Sequence, residues 1–211
     1  MKILLLGATG LVGSQVLALA LADARVTSVI APTRRALPPH PKLTAPLVDF
    51  ARPDPTAHWW QVDAVVCALG TTMRAAGSQA AFRQVDHDYP LAFARLARAH
   101  GAATCVLNSA AGADAGARFF YHRVKGELER DLLQLGYASL TFVRPGLIGG
   151  KRNEWRLAEG LAVAAVTLAG PLLPRRWRVN PAATIARALL AAALDPQPGQ
   201  HVVPAEQLTS S

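Results

Sequence analysis

Lys2-Ile3-Leu4-Leu5-Leu6-Gly7-Ala8-Thr9-Gly10-Leu11-Val12-Gly13 is the stretch that decides the fold. Lys2 to Leu6 reads as a strand buried on both faces, because four consecutive aliphatics leave no polar side for water. Leu11 to Leu21 reads as a helix, and the glycines lie between the two. Their spacing, G-x-x-G-x-x-G, suits a strand–turn–helix that cradles a pyrophosphate. Gly7 permits a tight turn, Gly10 lets backbone approach the phosphates, and Gly13 lets the helix pack close to the strand. The helix start then offers free N–H groups and the positive end of a dipole. Thr9, Leu11 and Val12 fill the turn and join Gly7, Gly10 and Gly13 as candidate cofactor contacts.

The rest of the chain continues the alternation. Strands are expected at Val26 to Ala31, more weakly at Leu43 to Val48, then at Val62 to Leu69, Thr104 to Asn108 and Ser139 to Val143. Helices are expected at Ser78 to His100, where Phe82, Val85, Tyr89, Phe93 and Leu96 recur at three- and four-residue spacing, and at Phe119 to Leu135. Alternating strands and helices imply a parallel sheet covered on both faces, and right-handed crossovers make it doubly wound. Residues 1–150 form this core of a single domain. Residues 151–211 are read as a small C-terminal cap, with helices at Trp155 to Leu168 and Pro181 to Leu194 and a last short strand at His201-Val202-Val203.

Composition limits the function classes. With 51% hydrophobic and 17% charged residues in 211, disorder is excluded. Two cysteines, Cys67 and Cys105, both in apolar runs, exclude a disulfide scaffold and a Cys-rich zinc site; no metal is expected. The net charge is +8, but the only tight basic groups are Arg34-Arg35, Lys151-Arg152 and Arg175-Arg176-Trp177-Arg178, too short for a nucleic-acid arm. No secretory signal is read at the N-terminus, which makes a cytoplasmic location the default. Leu161 to Leu173 is apolar but too short to span a bilayer, so no stable membrane insertion is expected.

The second strand ends at Pro32-Thr33-Arg34-Arg35, where a binder of NAD carries a carboxylate for the ribose hydroxyls. Two arginines suit a 2′-phosphate instead, or are a pair of exposed loop residues. The first reading makes NADP(H) the expected cofactor, with NAD(H) second. Asp49-Phe50 follows the third strand, where Asp49 either meets the adenine amino group or caps the next segment. Ala68-Leu69-Gly70-Thr71 ends the fourth strand, with Gly70 letting backbone lie against the cofactor.

Tyr121-His122-Arg123-Val124-Lys125 puts Tyr121 and Lys125 on one face of a helix. A cation beside a phenol favours the phenolate, which makes Tyr121 a usable general acid or base. Ser109 ends the fifth strand, where its hydroxyl is expected to hydrogen-bond a substrate carbonyl.

These residues, in this order, resemble the short-chain dehydrogenase/reductase superfamily in its extended or atypical branch. A closer likeness joins Cys67-Ala68-Leu69-Gly70-Thr71-Thr72, Val85-Asp86-His87-Asp88-Tyr89, Asn108-Ser109-Ala110-Ala111-Gly112-Ala113-Asp114, Val124-Lys125-Gly126-Glu127 and Arg144-Pro145-Gly146. These look like the Tat-interacting-protein-like group, and Leu172-Leu173-Pro174-Arg175-Arg176 looks like its bacterial members. The resemblance implies a Rossmann-like fold, NADP(H) binding and a Ser109–Tyr121–Lys125 set. It also implies that Arg144, Pro145 and Gly146 pass close to the nicotinamide. The sequence departs from many relatives in one place: they carry an Asn in the fourth helix that holds a relay water, and this segment offers Asp86 after Val85, which leaves open how the Lys125 relay continues.

The activity implied is hydride transfer to or from a small carbonyl or alcohol, by a monomer or homodimer. Leu147, Ile148, Trp155 and Leu161 to Leu173 are candidate pocket walls. A non-catalytic NADP(H)-binding regulator is the second reading, and a nucleotide-sugar epimerase or dehydratase the third.

Overall fold

The computed structural model describes residues 1–149 and 179–209. Its main sheet has seven strands: β1 (Lys2–Leu6), β2 (Ser28–Ile30), β3 (Leu43–Thr44), β4 (Ala64–Cys67), β5 (Thr104–Asn108), β6 (Ser139–Arg144) and, last in both chain and sheet, β9 (Gly199–Pro204). Their order is β3-β2-β1-β4-β5-β6-β9, and every neighbouring pair is parallel. Two short strands, β7 (Ile148–Gly149) and β8 (Asn180–Pro181), pair with each other outside it. The expected α/β doubly wound sheet is what forms.

The consecutive aliphatics of β1 serve two cores because side chains alternate across a strand. Ile3 and Leu5 enter one apolar cluster with Val12, Val16 and Ala20 of α1 (Leu11–Ala22) and Ile185, Ala186 and Leu189 of α6 (Ala182–Leu194). Leu4 and Leu6 enter the other with Phe93 and Ala97 of α4 (Tyr89–Ala99) and Leu128 and Leu132 of α5 (Phe120–Leu133). Cys67 and Cys105 lie in this second core, both buried and unbridged. Burial pushes the Cys67 thiol up to about 11. Both thiols should therefore resist iodoacetamide in the folded protein at pH 8 and react on unfolding; fast native labelling would contradict this packing.

The expected helix Ser78 to His100 does form but is not regular. After a four-residue helix, α2 (Met73–Ala76), α3 (Gln79–Arg83) passes through one π-turn, Gln84–Asp88, into α4. Pro90 supplies the reason. It has no N–H to give to the Asp86 carbonyl four residues back, and its ring crowds that carbonyl. The wide turn leaves Asp86 and His87 both buried. The expected third strand, Leu43 to Val48, shrinks to two residues and an isolated bridge from Leu47 to Thr33, because Pro46 has no N–H for a ladder. The expected helix from Trp155, the pocket walls Trp155 and Leu161 to Leu173, and the Leu172 to Arg176 likeness lie outside the described residues.

Candidate cofactor and catalytic site

Strand order reverses between β1, which continues to β2, and β4 on its other side. In open parallel sheets the ligand crevice lies at such a point, beyond the carboxyl ends of the strands. The glycine turn sits there. Gly7 has φ +85°, and a Cβ on it would meet the Ala68 carbonyl carbon at 2.7 Å. A Cβ on Gly13 would lie 2.0 Å from the Gly7 oxygen. These two glycines are fixed by packing. Gly10 is different: its Cβ would meet only the Gly7 oxygen, at 3.3 Å, and otherwise faces open space. Gly10 is also the cap of α1, with no side-chain hydrogen bond closing the helix start. The first N–H groups of α1 are thus left for an anion. Thr9 is exposed, Leu11 half-buried, and the Val12 side chain belongs to the core. An open glycine over an uncapped helix start is the cradle that a dinucleotide pyrophosphate requires.

Beyond β2, Thr33 is buried and its hydroxyl donates to the Arg35 carbonyl at 2.9 Å, which shapes the loop. Arg34 and Arg35 are exposed, and no carboxylate among the described residues bridges either. Asp49 accepts from the Ala51 N–H at 2.9 Å and lies 3.7 Å from Arg52, the local-turn alternative of its two readings. Phe50 is buried, its ring 5.0 Å from that of Phe93, so its side chain belongs to the core rather than to a ligand.

The end of β4 and the start of α5 meet through Asp86. Its Oδ1 lies 2.7 Å from Lys125 Nζ, with both side chains buried, and its Oδ2 accepts the Thr71 N–H at 2.8 Å. Burial works against the Lys125 ammonium. The Asp86 carboxylate and Tyr121 outweigh it and hold the amine above its ordinary range. A Cβ on Gly70 would lie 3.3 Å from Asp86 Oδ1 and 3.8 Å from Lys125 Nζ. Gly70 therefore makes room for this ion pair, a reason for glycine that the sequence reading did not contain. Tyr121 is 39% exposed, against Phe82 on one side and His122 on the other. Gly126 lets α5 approach the Asp114 backbone, which a Cβ would meet at 2.1 Å.

Ser109 has another partner than the one expected. It is buried, and its hydroxyl donates to Glu129 of α5 at 2.5 Å. Glu129 also receives Arg144, Oε1 accepting from Nε at 3.0 Å and Oε2 from Nη2 in a second, shorter contact. The Ser109 hydroxyl thus faces a fixed carboxylate, not an open cleft. The same network holds the end of β6. The Pro145 carbonyl accepts the Ala111 N–H at 2.8 Å, and the Gly146 N–H donates to Asn180 Oδ1 at 2.7 Å. Neither Glu129 nor Asn180 was expected. The signal for Glu129 is its position four residues beyond Lys125, on the face that carries Tyr121 and Lys125.

No family model matches the chain. Protein FMP52, mitochondrial, of Coccidioides immitis is 32% identical over 210 residues, covering 90% of this chain and 84% of that protein. Its namesake in Aspergillus fumigatus is 36% identical over 209 residues, covering 92% and 87%. Among solved structures, MoeE5 in complex with UDP-glucose and NAD superposes with a TM-score of 0.74 at 16% identity, covering 97% of this chain and 75% of that one. UDP-N-acetylglucosamine 4-epimerase from Methanobrevibacter ruminantium superposes at 0.71 and 15%, covering 96% and 76%. What these structures share with the chain is the fold, a Rossmann-like doubly wound parallel sheet. Two expectations are corrected. The relatives are fungal, not bacterial, and their names place them in mitochondria, so a cytoplasmic location inferred only from a missing secretory signal does not stand. At these identities and coverages, the chain belongs to the FMP52 family.

Proposed function

We propose that the chain is an NADP(H)-dependent oxidoreductase acting on a small carbonyl or alcohol, with Tyr121 as its general acid or base. The observation that carries this reading is the placement of Lys125, one helical turn from Tyr121 on α5, beside Gly70 at the carboxyl edge where the glycine turn opens. Bound there, a nicotinamide dinucleotide supplies or accepts a hydride. The residues of the chain do the rest. Tyr121 gives its proton to the carbonyl oxygen, or takes it back in the reverse direction. Lys125 contributes a fixed positive charge that stabilises the phenolate as Tyr121 gives up its proton. Glu129 holds Ser109 and Arg144, so that the strand end Arg144-Pro145-Gly146 is rigid before any ligand arrives. Gly10 and the open start of α1 seat the pyrophosphate, Gly7 and Gly13 shape the turn that holds them there, and Ala68 to Thr71 form the wall beside it.

Arg34 and Arg35 support the choice of NADP(H) over NAD(H). NADPH is expected to bind more tightly than NADH, and Arg34→Ser to weaken NADPH about ten- to a hundredfold while barely touching NADH. Fluorescence titration of the purified protein with both cofactors checks this; equal affinities in the native protein sink the NADP assignment. A panel of small carbonyl compounds at saturating cofactor then tests the oxidoreductase reading, and no turnover on any of them counts against it.

The alternative, a cofactor-binding regulator without catalysis, draws support from one observation: the Ser109 hydroxyl is already engaged by Glu129. It predicts tight cofactor binding with no turnover.

A further inference from the structure

Resting on the functional reading above, we propose that Asp86 is the positioning residue of the site. Its one carboxylate fixes Lys125 on α5 and the Thr71 amide at the end of β4, and so ties the catalytic helix to the loop that walls the cofactor.

The two oxygens have different tasks. Oδ1 faces the Lys125 ammonium at 2.7 Å and Oδ2 the Thr71 N–H at 2.8 Å. Asp86 is 1% exposed, so neither oxygen is shared with bulk water. An Asn at this position has one acceptor oxygen and an NH2 group that repels an ammonium, so it cannot serve both donors. The carboxylate is therefore specific to a site in which lysine and loop are held together. The local backbone is built for it. The π-turn over Gln84–Asp88 leaves Asp86 buried, and Gly70 leaves the space that the ion pair fills. The other groups near the pair agree with a lasting charge on Lys125. Tyr121 acts on it in the same sense as Asp86, and burial keeps the Cys67 thiol protonated. Whatever displaces Lys125 is felt at Thr71, and the reverse.

The test uses the full chain without cofactor first. Reductive methylation read by mass spectrometry should label Lys125 far more slowly than Lys2, and amide exchange should show Thr71 protected. Asp86→Asn keeps the volume and removes the charge. In it, Lys125 should label about tenfold faster or more, Thr71 should exchange about tenfold faster, and the pH at which Lys125 becomes reactive should fall by about one unit or more, because burial then acts without its counter-charge. NADPH affinity should drop about five- to tenfold. A merely structural role does not move the pH profile of Lys125. Unchanged Lys125 labelling together with an unchanged Thr71 amide overturns the proposal. Should Asp86→Asn fail to fold, the native protein decides alone: Lys125 labelling as fast as Lys2 overturns it, and slow labelling with a reactive pH above that of an ordinary lysine supports it. Absence of any NADPH or NADH binding overturns the functional reading instead, since labelling and exchange are measured without cofactor.

Discussion

Tyr121→Phe is expected to bind NADPH with native affinity and to lose about 10²–10⁴-fold in turnover, the usual cost of removing a positioned general acid. The change deletes one hydroxyl. The ring keeps its contacts with Phe82 and His122, so the fold and the cofactor cradle stay as they are. Steady-state rates on any substrate found in the carbonyl panel, alongside a cofactor titration, separate the two effects. A variant that turns over at the native rate would remove Tyr121 from the mechanism while leaving the fold assignment standing. Lowered cofactor affinity with unchanged turnover would give Tyr121 a binding role only.

The glycine turn carries the second large effect, and its glycines should respond differently. Gly13→Ala puts a methyl 2.0 Å from the Gly7 oxygen, and that oxygen is backbone that cannot swing aside. The expected cost is about 3 kcal/mol of stability, roughly 6–12 °C in Tm for a chain of this size. The Cβ of Gly10→Val meets only the Gly7 oxygen, at 3.3 Å, and the backbone there has φ −80° and ψ 170°, which valine adopts without strain. Its melting temperature should stay near native while NADPH affinity falls about a hundredfold or more, because the side chain occupies the pyrophosphate's space. Calorimetry and fluorescence titration on the two variants check the contrast. Loss of stability in Gly10→Val without loss of binding in the folded fraction would place the phosphates elsewhere.

Much of the architecture was legible because its signals are local. The aliphatic run before Gly7 and the strand Thr104–Asn108 are short, apolar and bounded by small or polar residues, and both form where expected. Pro90 marks a break in the helix from Ser78, but spacing alone does not say whether a proline kinks, ends or widens a helix. The candidate site was legible as residue types, not as partnerships. Ser109 looks like a substrate contact until Glu129 is placed beside it, and Glu129 lies twenty residues away on another element. Gly70 reads as room for a cofactor and is also room for an ion pair. Such contacts between distant segments leave no periodic trace. The edge strand β9 was anticipated only as three residues, since most of it is exposed and lacks the unbroken apolar run of a central strand.

The layer formed by α1 and α6 has a consequence for the chain's synthesis. The two helices cover the same face of the sheet, yet α1 ends at Ala22 and α6 begins at Ala182. At about 5–20 residues per second, a ribosome needs roughly 8–32 s to bring the second after the first. For that interval Ile3, Leu5, Val66 and Val106, which the finished molecule hides beneath the pair, have only half their shelter. The nascent chain is thus a customer for holding factors until Ala182–Leu194 emerges, and truncations that remove this helix should surface in cells as aggregates rather than as smaller working proteins.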